Sequence, residues 1–240
     1  PENGGMNWNS NGIDPTITQF GQYIYTMSED EGGNAYIEAY ATNQNFFSDG
    51  SNSLNYVDAL ASGGDISVGD IDNDGQADLF ISKGNVDQMP SNAIHDPNNL
   101  LMQQPGGTFS EAGLSAGVAS TERGRGAALA DFDLDGRLDI LVLNRRAAME
   151  IYRNETKNVG HWLAVVLLQE GGNRNAIGAR VTVGAEMQHL TIGGGHAGGQ
   201  ALPLHFGLGD ATEIEITVEW PNGQLSKHRA QADQTITLQP

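Results

Sequence analysis

Nine residues, Asp70-Ile71-Asp72-Asn73-Asp74-Gly75-Gln76-Ala77-Asp78, recur 61 positions later as Asp131-Phe132-Asp133-Leu134-Asp135-Gly136-Arg137-Leu138-Asp139. Both copies read D-x-D-x-D-G-x-x-D, and both run directly into an apolar segment, Leu79-Phe80-Ile81 or Ile140-Leu141-Val142. Four carboxylates in nine residues repel one another and raise one another's pKa unless a cation or a proton compensates. Alternation brings those at positions 1, 3 and 5 to one side of a tight turn. Glycine at position 6 takes a backbone angle that a side chain resists. Position 7 then turns its carbonyl inward, and the aspartate at position 9 closes the cage. A hard cation such as Ca2+ is held in this manner, by about six to eight oxygens. The expected ligands are Asp70, Asp72, Asp74, Gln76 and Asp78 for one ion, and Asp131, Asp133, Asp135, Arg137 and Asp139 for a second, with Gln76 and Arg137 acting through the backbone. An EF-hand loop begins similarly but requires Glu at position 12 and flanking helices; here position 12 is Ile81 or Val142, inside a strand-like run. The bland alternative is a solvated Asp-Gly turn, and the repetition of the loop in the same strand context weighs against it.

The rest of the composition narrows the class. Thirty acidic residues against 12 basic ones give a formal net charge of -18, which disfavours nucleic acid and anionic membranes as partners. Without cysteine there are no disulfides, thiolate zinc sites or cysteine nucleophiles. No apolar run approaches the ~18 residues of a membrane helix. Calcium loops of this kind suit the millimolar calcium outside cells, so the expected setting is secreted, extracellular or periplasmic. The sequence starts at Pro1 rather than Met, which suggests that an upstream piece has been removed, processed or left out.

Read in order, residues 1–43 are rich in Asn, Gly, Tyr and acids, with strands expected at 21–27 and 35–40; they form an irregular segment or a degenerate blade. From 44 to 159 a repeat emerges. Gln44-Asn45-Phe46-Phe47 and Tyr56-Val57-Asp58-Ala59 parallel Asn98-Asn99-Leu100-Leu101-Met102 and Thr108-Phe109-Ser110-Glu111-Ala112. Strands 65–69 and 126–130 enter the two acidic loops, and a third unit opens at 149–154. Each unit offers about four short strands joined by Gly, Asn and Pro turns, the pattern of a β-propeller blade. The pattern changes at Gly160. The segment 161–168 is apolar on both faces and should be a buried strand. Residues 179–183 and 213–220 alternate, Pro221-Asn222-Gly223 turns the chain back, and 234–238 is a last strand. Residues 160–240 therefore read as a small antiparallel β-sandwich with Trp162 and Trp220 in its core.

These words resemble known families. The D-x-D-x-D-G-x-x-D units are similar to FG-GAP or VCBS-type repeats, the blades of integrin-like propellers. The tail resembles the ASPIC/UnbV domain that ends bacterial relatives of the cartilage acidic proteins, through Asn173-Arg174-Asn175-Ala176-Ile177-Gly178-Ala179-Arg180-Val181, Leu204-His205-Phe206-Gly207-Leu208-Gly209 and Val218-Glu219-Trp220-Pro221-Asn222-Gly223. The resemblance covers about 65–240 and implies a secreted, calcium-loaded propeller with a C-terminal β domain. The fold expected is thus all-β: partial β-propeller blades followed by a small antiparallel sandwich. A closed propeller needs about four to eight blades, and the residues before the tail supply fewer than three. The missing blades are expected before Pro1 in the same precursor, or in another associated chain.

Other motifs carry less. Gly113-Leu114-Ser115-Ala116-Gly117 fits G-x-S-x-G but lacks the strand-turn-helix setting of a nucleophile elbow. The glycine run 193–199 lacks the Lys-Ser/Thr ending of a phosphate cradle. His196 and His205 could meet across a hairpin, although structural histidines are the simpler account. Asn154-Glu155-Thr156 is a glycosylation sequon. The function expected is a calcium-binding recognition or scaffolding module with an unidentified protein or glycan partner. The alternatives are a carbohydrate-active, lyase-like propeller enzyme and a lectin-like sugar binder.

Overall fold

Short runs of β-branched and aliphatic residues between Gly, Asn and Asp turns leave the chain few options but strands, and strands are what it forms. The computed structural model describes the backbone of 17–20, 23–29, 35–42, 54–62 and Asp65, and residues 66–84, 95–105, 107–193 and 203–240 with their side chains. The protein is all-β. In chain order, β1 (Ile17–Phe20), β2 (Tyr23–Glu29), β3 (Ala35–Thr42) and β4 (Leu54–Ser62) form a four-stranded antiparallel meander. This sheet bridges the division expected at 43/44. The expected strand at 44–47, the glycine run from 194, His196 and Trp8 lie outside the described residues.

A second meander follows: β5 (Asp65–Gly69), β6 (Asp78–Ser82), β7 (Asn99–Gln103) and β8 (Phe109–Glu111). A single turn of helix, α1 (Gly113–Ala116), leads out of it and ends at Gly117 in the left-handed conformation. The third sheet repeats the first three strands of that meander with β9 (Gly124–Ala130), β10 (Asp139–Asn144) and β11 (Glu150–Tyr152). Each acidic loop is the connection of a hairpin, β5 to β6 and β9 to β10. The register repeats as well: Leu79, Phe80 and Ile81 oppose Leu101, Leu100 and Asn99, while Ile140, Leu141 and Val142 oppose Tyr152, Ile151 and Glu150. The sheets stack through one core in which Phe80 and Leu100 meet Ala127, Leu129, Ile140 and Val142. The opposite face of the β5–β8 sheet buries Ile66, Leu79, Ile81 and Leu101.

The tail consists of β12 (His161–Leu167), β13 (Arg180–Val183), β14 (Glu186–His189), β15 (Leu204–Gly209), β16 (Glu213–Glu219), β17 (Leu225–Gln231) and β18 (Gln234–Leu238). They form two sheets, β15-β12-β18 and β14-β13-β16-β17. Leu163, Val165 and Leu167 from one sheet and Val181, Val183, Ile216, Val218 and Trp220 from the other share a single buried core. Two details correct the reading from sequence. The β12–β18 pair is parallel, because the chain crosses the whole second sheet before β18 returns beside β12. Trp162 is not in the tail's core; it stacks on His205, with ring centroids 5.9 Å apart.

Candidate metal centres

The two acidic loops fold alike because the same atoms tie them. At position 1, the Asp70 carboxylate accepts from the backbone N–H groups of Asp74 (3.0 Å) and Gly75 (2.7 Å). Asp131 accepts from Asp135 (3.1 Å) and Gly136 (2.9 Å). At position 9, Asp78 accepts from Ile71 (2.9 Å) and, across the sheet, from Gln103 (2.8 Å). Asp139 accepts from Phe132 (3.1 Å) and Asn154 (2.8 Å). These bonds curl each loop until positions 4 and 6 take positive φ: 58° and 89° at Asn73 and Gly75, 61° and 88° at Leu134 and Gly136. Glycine makes the sharper of those turns without steric cost.

Positions 1, 3 and 9 converge. Carboxylate oxygens of Asp70, Asp72 and Asp78 lie within 4.8 Å of one another, and so do those of Asp131, Asp133 and Asp139. Position 5 turns to its own loop instead. Asp74 accepts from the backbone N–H and the side-chain amide of Gln76, both at 2.8 Å. Asp135 accepts from the Arg137 N–H at 3.1 Å and pairs with the Arg137 guanidinium. Gln76 and Arg137, expected to serve through their carbonyls, are thus seen here as partners of position 5.

The loops differ in their surroundings. In the first, burial pushes the Asp70 carboxyl up to about 8 and the Asp78 carboxyl to about 7, against the N–H bonds that favour their ionised forms. Burial also raises Asp72, whose Oδ1 is enclosed without a hydrogen-bond partner. An all-oxygen donor set with one uncommitted buried oxygen fits a hard divalent cation. In the second loop the side of Asp133 is open and Arg153 pairs with it at 2.7 Å, reaching Asp135 at 3.6 Å. Arginine therefore supplies part of the positive charge there.

The tail rests directly on these loops, which the sequence did not suggest. Gly160 and Gly209 donate their N–H groups to the carbonyls of Asp72 and Asn73, both at 2.9 Å. The Asn73 amide donates to the Gly136 carbonyl (3.0 Å), so its Oδ1 faces His205 Nε2 at 2.8 Å and accepts from it. His205 is buried, which lowers its pKa to about 4 and keeps it neutral. Gly207 lies against the Asp70 carboxylate and Gly160 against the Asn73 carbonyl, and neither place has room for a Cβ. Gly136 is covered by the Trp162 ring. From β14, Gln188 bridges Glu186 and the His205 carbonyl, both at 2.5 Å. Glu186 Oε2 is enclosed without a hydrogen-bond partner, and its pKa is raised by burial first and by the charge of Asp70 as well. Asn154, read from sequence as a sequon, bonds through its amide to the carbonyls of Ile71 (2.8 Å) and Leu138 (3.1 Å), fastening the two loops together. Ser115 of the G-x-S-x-G word donates to the Ala112 carbonyl (2.9 Å), an ordinary helix-turn contact.

An all-β chain with duplicated acidic hairpin loops under a two-sheet tail is the class that fold and site define. Residues 169–240 match the family model described as ASPIC and UnbV. The chain is similar to Cartilage acidic protein 1 of Homo sapiens, 25% identical over 179 residues, which is 71% of this chain and 27% of that protein. The Mus musculus protein of the same name is 26% identical over 166 residues, 65% of this chain and 25% of the relative. The Xenopus tropicalis one is 29% identical over 111 residues, 43% and 17% respectively. The chain spans about a quarter of the length of the first two curated relatives it matches. Among the described residues, no helix is long and apolar enough to cross a membrane.

Proposed function

We propose that this chain is part of an extracellular or periplasmic calcium-binding β-propeller module that serves recognition or scaffolding. In this reading residues 44–159 are FG-GAP/VCBS-type blades and 160–240 an ASPIC/UnbV-like domain. The observation that carries it is the pair of hairpin loops that each converge three carboxylates in the same hydrogen-bonded frame. Burial of Asp70 and Asp78 in the first loop supports a cation there, because two desolvated carboxylates are costly without one. The blade reading draws support from one asymmetry. Phe80 and Leu100 of the first Asp-loop sheet are covered by the second sheet, whereas the matching Leu141 is only half-buried and Ile151 is 58% exposed. The face that holds them, with Met149 and Leu143 beside it, is where a further sheet of the same kind belongs.

The role of the ion is architectural: it ties each loop to its hairpin and fixes the adjoining surface that a protein or glycan partner meets. Calcium titration of chelator-treated protein, followed by calorimetry and native mass spectrometry, should find two ions per chain. Asp72→Ala and Asp133→Ala should each remove one. Calcium at about a hundred times its dissociation constant should add about 2.7 kcal/mol per site. A melting temperature indifferent to EDTA would reject the calcium reading.

A further inference from the structure

The first acidic loop has two sets of partners, and only one belongs to its own hairpin. The other comes from the tail, more than 80 residues further along: the N–H groups of Gly160 and Gly209 on the loop carbonyls, and His205 on the Asn73 side chain. Asn73 is the residue whose φ of 58° lets the chain pass from Asp72 to Asp74. Its carbonyl, its Oδ1 and its amide are all committed to groups outside its own hairpin. Gly207 completes the arrangement by lying flat against the Asp70 carboxylate, where any side chain collides with the carboxylate or the Asn73 backbone. Among the described residues, the second loop meets the tail through the Trp162 ring over Gly136, and Asn73 of the first loop reaches its Gly136 carbonyl. The second loop's Asp131 is half-buried, and its Asp133 is exposed and paired with Arg153.

We propose that Gly160, His205, Gly207 and Gly209 are positioning residues of the first cation site, so that ion binding there and seating of the tail on the loop form one coupled equilibrium. The inference rests on the calcium reading given above. The physical cause is shared geometry. The loop conformation that converges Asp70, Asp72 and Asp78 is also the one that presents the Asp72 and Asn73 carbonyls to Gly160 and Gly209. Whatever stabilises one face of that loop stabilises the other. Coupling of this kind is reciprocal by thermodynamic necessity. The ion must hold the tail as firmly as the tail holds the ion.

The test uses the full chain, with Ca2+ itself as the probe. Calorimetric titration of wild type should resolve two sites. His205→Leu removes the donor to Asn73 without touching a carboxylate, and Gly207→Ala puts a methyl group against Asp70. Each should weaken one site about tenfold or more, within the usual range of coupling, and leave the other within about twofold. In the reverse direction, chelation or Asp72→Ala should speed amide hydrogen exchange at Gly160 and Gly209 at least tenfold, while amides of the tail core such as Val165 and Val218 stay protected. If Gly207→Ala fails to fold, His205→Leu and the exchange measurement decide. Two ions bound with unchanged affinity in His205→Leu, or exchange at Gly160 and Gly209 indifferent to calcium, would overturn the coupling and leave the calcium reading standing. A wild-type chain that binds no calcium would overturn both.

Discussion

Asp70 and Asp78 show how much the position of a carboxylate can ask of its surroundings. Both are almost wholly enclosed, and their folded-state pKa values, about 8 and about 7, stand above the ordinary 3.8. Without a cation, the folded chain holds protons at neutral pH that the unfolded chain has released. By linkage, stability then falls as pH rises from the unfolded value through the folded one. His205 acts in the opposite direction but only below 6.5, since its folded pKa is lowered to about 4. Between pH 6.5 and 8.5 the raised carboxyls of Asp70 and Asp78 set the direction. In EDTA the melting temperature should therefore drop across that interval, and the increment produced by calcium should grow, because fewer protons need to be displaced. A flat profile in EDTA would mean that Asp70 and Asp78 are solvated in the free protein. Glycine matters at this scale wherever backbone meets carboxylate: Gly207 is there for the space it leaves rather than for the angle it takes.

At the scale of the element, the two Asp-loop sheets are one design read twice. Phe80 and Leu141 occupy the same register position, as do Leu100 and Ile151, yet only Phe80 and Leu100 are buried. Phe80→Ala should cost about 3–5 kcal/mol, the range for emptying a buried aromatic site. Ile151→Ser should stay within about 0.5 kcal/mol, as exposed substitutions do. Urea unfolding in saturating calcium measures both. The hairpins were legible in the sequence because a loop of fixed spacing followed by an apolar run leaves little freedom in where strands begin. The sandwich core was legible for the same reason: Ile216, Val218 and Trp220 alternate with Glu215, Thr217 and Glu219. What the sequence could not carry was contact between distant segments. Nothing in Leu204-His205-Phe206-Gly207 says that its histidine meets Asn73, and alternation along β12 assigns Trp162 a face without saying which module covers it. The parallel return of β18 was hidden likewise, since a strand's own pattern does not encode the direction of its neighbour.

For the molecule as a whole, the tail has its own core and the Asp-loop sheets have theirs, and the loop contacts join the two. Scanning calorimetry in saturating calcium should give a single unfolding transition; in EDTA it should split in two, with the tail as one component. Splitting in both conditions would show that the contacts carry too little energy to join the two parts. The charge balance points the same way. With a formal net charge of -18, self-repulsion opposes compaction, and under the calcium reading proposed above each divalent ion would relieve it at the loops.

Asn154 has a consequence for how this protein can be produced. Its side-chain nitrogen spends both hydrogens on the carbonyls of Ile71 and Leu138, and that same nitrogen is the atom an oligosaccharyltransferase would modify in Asn154-Glu155-Thr156. A sugar there takes one hydrogen away and forces a bulky group between the loops. Chains secreted from a eukaryotic host should thus divide cleanly: those that fold with Asn154 unmodified bind calcium, and those carrying the glycan do not. Peptide mass mapping of the calcium-competent fraction should find Asn154 bare.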